Sequence, residues 1–394
     1  MGRWVVTTQR RSETPGRAVI SFVLVLALAL VGTVFAEAAP AAPGNARAQR
    51  AKAAGEAAAT KAGSKVAVPK ETVGHLEIYG ASDGGVRVND ALKKATAILG
   101  WDLKTCDGQG DPTKMAACGE SLLNQNVNLI VSTGIESAIV KPELERAKQE
   151  GVLWINFAAA VSPSPLFTAS YPPKETDMTK LLDDYMIKQL NRRSGKSKQI
   201  GAFTFPAVVG LGRRGEQLKR DVKGTKVQIV DDHNADLANL AQDTQRATDA
   251  MLTANPSLDG IWASIDVCLP IVAQSVATQF SGKNYPKRPL VVGFLDEKPN
   301  LQAIRDHKAD ALATFPLADG LWIVLDQAAE FFARHTPITK QNAFENSKRI
   351  YGLDFSTPAL ITIKNVPKGA NSQWTPPEDT SSFFKAKWAK EFTT

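Results

Sequence analysis

Residues 126–157 read NVNLIVSTGIESAIVKPELERAKQEGVLWINF, and this stretch decides the fold. Residues 127–132 form a short apolar, β-branched run, which predicts a strand. Residues 136–150 are longer, charged and amphipathic, which predicts a helix. Residues 152–157 are apolar again. A strand, a helix of this length and a second strand make the crossover unit of a parallel sheet. Working outward, the same alternation recurs. Strands are expected at 73–79, 199–205, 226–230, 260–264 and 290–294, with helices at 86–99, 175–191, 211–222, 236–254 and 267–280. Strict alternation predicts an α/β protein whose parallel sheets are covered on both faces. A polar, Pro-rich break at 162–173 divides the pattern into two such units.

Open parallel sheets bind ligands beyond the C-terminal ends of their strands. That rule selects the loops at 80–85, 106–111, 133–134, 157–160, 205–212, 265–266, 295–296 and 314–316.

The formal net charge of +7 lies wholly in residues 1–70, which carry ten basic and three acidic residues. The remainder is balanced, so it lacks the basic surface that nucleic acid requires. Residues 1–38 read as an export signal. Arg3, Arg10, Arg11 and Arg17 precede an apolar run from Ala18 to Phe35, and Ala36-Glu37-Ala38 offers a small-x-small cleavage site. An uncleaved anchor helix is the alternative. Residues 39–71, rich in Ala and Lys and without an aromatic residue, are expected to be a disordered linker. Export permits disulfides, and Cys106 and Cys118 are close enough in sequence to pair; two buried thiols are the alternative. Cys268 sits in an apolar stretch. No Cys/His cluster suggests a metal.

Two motifs suggest enzymes. Gly80-Ala81-Ser82-Asp83-Gly84 fits a nucleophile elbow. It follows the first strand, where no earlier loop remains to supply an oxyanion donor. Gly210-Leu211-Gly212-Arg213-Arg214-Gly215 fits a dinucleotide fingerprint, with Asp231 and Asp232 downstream. Four residues separate the expected strand end from its first glycine, whereas the fingerprint turns directly from strand to helix. No phosphate-binding Gly-x-x-x-x-Gly-Lys-Ser/Thr loop is present in the sequence.

From Thr72 onward the chain resembles the type I periplasmic binding proteins, in particular the ribose-binding and related sugar-binding ones. Four stretches in the family's order carry the resemblance: 126–132 with 147–152, 258–266, 289–294 with 301–305, and 359–366. The resemblance implies two Rossmann-like parallel-sheet lobes joined by a three-segment hinge, with passages near 157–165, 313–316 and 336–340. The lobes are then 72–160 plus 315–338, and 161–314 plus 339–394. It further implies a monomeric, non-enzymatic receptor without cofactor. Such a receptor closes on a sugar-like molecule and hands it to the membrane permease of an ABC importer. A sensor signalling to a membrane partner could use the same lobes. A DNA-binding relative would need a helix-turn-helix where residues 1–70 hold an apolar segment.

Asp266 matches the acid of the family's Asn-Asp pair, with Ile265 in place of the Asn. Leu295 stands where the family has an Asp, and Asp296 follows one residue late. The family's cleft Arg falls at Gly212, with Arg213 beside it; its Gln falls at Thr314 or Phe315. Aromatic residues end several strands, and Phe157, Phe205 and Phe315 are candidate stacking rings. Ser82, Asp83 and Thr133 complete the expected ligand-binding set. This pattern, poorer in polar groups than a hexose site, points toward a deoxy sugar or another modified compound.

Overall fold

The computed structural model describes residues 44–59, 64–195, 197–236 and 239–393. Residues 1–38, read as an export signal, lie outside the described residues. The chain begins with α1 (Gly44–Ala59) and β1 (Val66–Ala67). The first sheet is built by β2 (Thr72–Glu77), α2 (Asp83–Leu99), β3 (Asp102–Asp107), α3 (Pro112–Asn124), β4 (Leu129–Thr133), α4 (Lys141–Glu150), β5 (Leu153–Phe157) and β6 (Ala169–Tyr171). Its strands are all parallel, in the order β3-β2-β4-β5-β6.

The second sheet follows with α5 (Glu175–Asn191), β7 (Lys198–Thr204), α6 (Val209–Val222), β8 (Val227–Asn234), α7 (Leu240–Ala254), β9 (Gly260–Ala263), α8 (Cys268–Gln279), β10 (Leu290–Phe294), α9 (Lys298–Arg305) and β11 (Ala311–Thr314). After α10 (Gly320–Arg334) and α11 (Ser347–Tyr351), β12 (Ala359–Thr362) joins the same sheet. The order is β12-β11-β10-β9-β7-β8, with β12 antiparallel at the edge. The chain ends in α12 (Thr380–Glu391) and β13 (Phe392–Thr393). Read from the second strand outward, both sheets have the same doubly wound order. Its switch point lies between β2 and β4 in one lobe and between β7 and β9 in the other.

The lobe boundaries differ from the expected ones. β6 still pairs with β5, so the first passage lies beyond Tyr171 rather than near 157–165. The second lies between β11 and α10, which packs on α2 and β5 of the first lobe. A third leads back to β12. A fourth then carries α12 to the first lobe, where it meets α1, α2 and α10. The C-terminal helix therefore belongs to the first lobe, not the second.

The expected linker is in part a docked helix. α1 presents Ala51, Gly55 and Ala59 to α12, a buried stripe of small residues four apart. A Cβ at Gly55 would sit 2.2 Å from the Phe383 carbonyl oxygen, so only glycine lets the backbones come this close. Arg50 binds Glu378 at 2.9 Å, Arg47 donates to the Pro377 and Glu378 carbonyls, and β1 pairs with β13 in parallel. The absence of a large apolar face is what made this segment read as disordered. Behind it, Lys387 binds Asp326 at 2.7 Å, Glu391 at 2.6 Å and Glu330 at 3.2 Å, and the Trp388 indole donates to Asp326. Cys106 on β3 and Cys118 on α3 form a disulfide.

Candidate functional site

The C-terminal ends of the strands in both lobes face one cleft. Its N-lobe wall is the junction of β2 and α2. The Ser82 hydroxyl accepts from Gly85 N at 2.9 Å and donates to the Tyr79 carbonyl at 3.1 Å. It is thus the N-cap of α2, and the nucleophile-elbow pattern is a helix start. Thr133, buried in β4, lies within 3.4 Å of Ile78 N and ties the ends of β4 and β2 together. Tyr79, by contrast, leaves half its surface exposed just beyond β2.

Arg87, one turn into α2, reaches across the cleft. It donates to Asp296 at 3.1 Å and lies 3.6 Å from Glu297 and 3.7 Å from Asp83. Burial alone would weaken its hold on the proton; Asp296, Glu297 and Asp83 reverse this and raise its pKa. Asp296 is buried and also accepts from the Thr314 hydroxyl at 2.7 Å. Asp83 pairs with Lys298 at 3.0 Å. Burial, then repulsion from Asp266, pushes the Glu297 carboxyl up to about 7, with Arg87 opposing.

The C-lobe wall centres on Arg214. It is buried, donates to Glu175 at 2.8 Å and to the Ser264 carbonyl at 2.8 Å, and lies 4.6 Å above the Phe294 ring. The Ser264 hydroxyl is buried and has no hydrogen-bond partner among the described residues. Asp266, two residues on, is half-buried; burial raises its pKa, opposed by Arg214. Arg213, the arginine expected here, points to solvent. Adjacent helical positions are about 100° apart, so only one of the two can face inward. The inward line is Gly210, Arg214, Leu218 and Val222, four apart, and that spacing could have identified Arg214.

The glycines of the dinucleotide-like motif have packing reasons. A Cβ at Gly210 would lie 3.4 Å from Ala160 and Glu175, one at Gly212 3.2 Å from the Pro206 oxygen, and one at Gly215 3.2 Å from Thr204. Asp232, downstream, is held by Thr204 at 2.5 Å and by Lys219 at 3.1 Å.

The expected stacking rings are core instead. Phe157 and Phe315 meet Phe344 edge-on at 5.5 and 6.3 Å, and Phe157 lies against Gly320 at the start of α10. Phe205 is buried in the second lobe's core with Phe203 and Ile265. These parallel strands are buried on both faces, so alternation carries no sign of which ring faces the cleft. Arg87, Glu175, Arg214, Glu297 and Tyr79 were not singled out from the sequence.

Equivalent strands of the two lobes end alike. Ala158 after β5 has φ 72° and Leu295 after β10 has φ 62°, a left-handed conformation that costs a non-glycine residue energy. Both kinks turn the chain at the cleft floor.

A family model described as a periplasmic binding protein domain matches residues 78–329. The chain belongs to this family. Periplasmic binding proteins of this kind are substrate-binding rather than catalytic, and the family implies an extracytoplasmic location. A periplasmic ribose ABC transporter protein from Conexibacter woesei is similar in fold: 16% identity, TM-score 0.64, 77% of this chain and 95% of that one. An ABC transporter solute binding protein from Agrobacterium vitis, with bound allitol, gives 16%, 0.64, 76% and 98%. The Caulobacter myo-inositol binding protein, with myo-inositol, gives 15%, 0.63, 75% and 94%. No curated protein sequence matches the chain. The matched residues exclude α1 and α12. Among the described residues no helix is long and apolar enough to cross a membrane.

Proposed function

We propose that this protein is the extracytoplasmic receptor of an ABC importer, binding a sugar-like or polyol molecule between its lobes and delivering it to a membrane permease. The observation that carries this reading is the convergence of Arg87, Asp266, Asp296 and Arg214 on one cleft from both lobes. Charged groups held by protein partners at a cleft are suited to hydroxyl-rich ligands, because a hydroxyl both donates to a carboxylate and accepts from a guanidinium. Buried polar groups discriminate well, since one left unpaired costs roughly 1–3 kcal/mol. Solved proteins of this fold hold allitol, D-arabinose and myo-inositol, all polyhydroxylated.

Asp266 and Asp296 would accept from ligand hydroxyls and Arg87 and Arg214 would donate to them. Tyr79 replaces the three buried phenylalanines as the ring offered to an apolar sugar face. Ser82, Asp83 and Thr133 shape the wall rather than touch the ligand. The receptor acts as a monomer, exported by residues 1–38.

The test is thermal unfolding of the full chain against pentoses, hexoses, deoxy sugars, linear and cyclic polyols, and aromatic acids. A ligand at one hundred times its Kd stabilises by about 2.7 kcal/mol, a readily measured shift in Tm. A shift with one polyhydroxylated class, abolished by Asp266→Ala, is expected. A shift with aromatic acids alone would overturn the sugar assignment.

A further inference from the structure

Two helix N-termini meet across the cleft. α2 begins at Asp83 in the first lobe and α9 at Lys298 in the second. Each end leaves backbone N–H groups without intrahelical partners and carries a partial positive charge. Each is capped by the other lobe. Glu297, preceding α9, accepts from Gly84 N of α2 at 3.1 Å. Asp83 accepts from Lys298 N of α9 at 3.3 Å and from its ammonium at 3.0 Å. Arg87 ties the two halves together through Asp296 and Glu297. Gln373, from the segment that follows β12, adds a hydrogen bond to Asp83 at 3.0 Å.

The fit depends on glycine at position 84. A Cβ there would lie 2.7 Å from the Glu297 carboxylate and 3.1 Å from Leu317, on the second passage between lobes. The contact therefore sits beside the axis about which the lobes turn. An ångström of misfit here becomes a larger swing at the far rim of the cleft.

We infer that this reciprocal capping is an interlobe latch: α2 and α9 hold one another through Glu297, Asp83 and Arg87, and keep the lobes closed before any ligand arrives. A ligand enters only while the latch is open, and the latch then helps to close the lobes over it. Weakening it should favour the open state and lower the apparent affinity, because closure is then no longer prepaid by the protein's own contacts. The inference does not depend on which molecule the cleft accepts.

The experiment measures the distance between the lobes in the ligand-free full chain. The spin labels are placed at Thr113, in the first turn of α3 after edge strand β3, and at Asn234, the last residue of edge strand β8; both positions are exposed. Cys106 and Cys118 are bonded and Cys268 is buried, so introduced cysteines label selectively. The expected result is one narrow, short distance in the parent protein. Arg87→Ala and Gly84→Val should each lengthen it by several ångströms, the first by removing charge, the second by bulk alone. Distances unchanged in both variants would overturn the latch. So would a parent distribution already spread to the longer distance, which needs no variant at all.

Discussion

The two lobes repeat one strand order, yet they furnish the cleft in different ways. The first lobe offers a single junction, Tyr79 to Arg87, whose side chains remain partly exposed and reach outward. The second offers a buried floor, in which Arg214, Glu175, Ser264 and Phe294 hold one another in place. The difference teaches that a pseudo-symmetric scaffold need not carry a symmetric site. One wall is prepared in advance, and the other supplies the group that crosses the gap.

The largest expected effect tests that contrast directly. Arg214→Ala would leave the Glu175 carboxylate buried without its cation, a loss of about 3–5 kcal/mol. Arg87→Ala also uncovers a buried carboxylate, Asp296, but that carboxylate keeps the Thr314 hydroxyl, so the loss should be smaller, about 1–3 kcal/mol. Denaturant unfolding of both variants reads the difference; equal losses would mean the two walls are equally prepared. A smaller effect belongs to the first lobe alone. Replacing Cys106 and Cys118 together by serine opens a loop of 12 residues and should cost about 3 kcal/mol or less. Hydrogen exchange should then rise in the sheet of β2 to β6 and stay unchanged in the sheet of β7 to β12.

The smallest effect is on pH dependence, and it sits where the lobes touch. Glu297, facing Arg87, Asp83, Asp266 and Asp296, keeps its proton up to about 7 in the fold, against 4.5 ordinarily. The folded state thus binds more protons than the unfolded one across that interval. Stability is fully present below about 4.5 and declines as pH rises to about 7. Asp319, also pushed up to about 7 by burial, acts in the same direction at the second passage. Glu297→Gln should flatten the decline in Tm between pH 5 and 7, while an unchanged slope would assign it to other groups.

The alternation of strand and helix was legible because both faces of each sheet are covered. The strands are then continuous apolar runs, and the helix at 175–191 was read to the residue. β3 and β6 escaped notice for opposite reasons. β3 is a polar edge strand with one side toward solvent, and β6 is only three residues long. The site was legible only in outline. Loops at strand ends were the places chosen to look; from them the structure pairs Asp296 with Arg87 and sets Asp266 near Arg214. The choice between Arg213 and Arg214 required the phase of α6, and the choice among rings required knowing which strand ends are roofed by α10. Arg87 and Glu297 matter because two distant helix starts meet, and nothing local to either announces the other.

The pairing of α1 with α12 has a consequence for how the molecule is made. A chain that emerges N-terminus first presents α1 long before its partner, and the first lobe also waits for α10 and for the last strand, β13. Its earliest residues can settle only when its last ones arrive. The fold thereby postpones its own completion until the whole polypeptide is available to it.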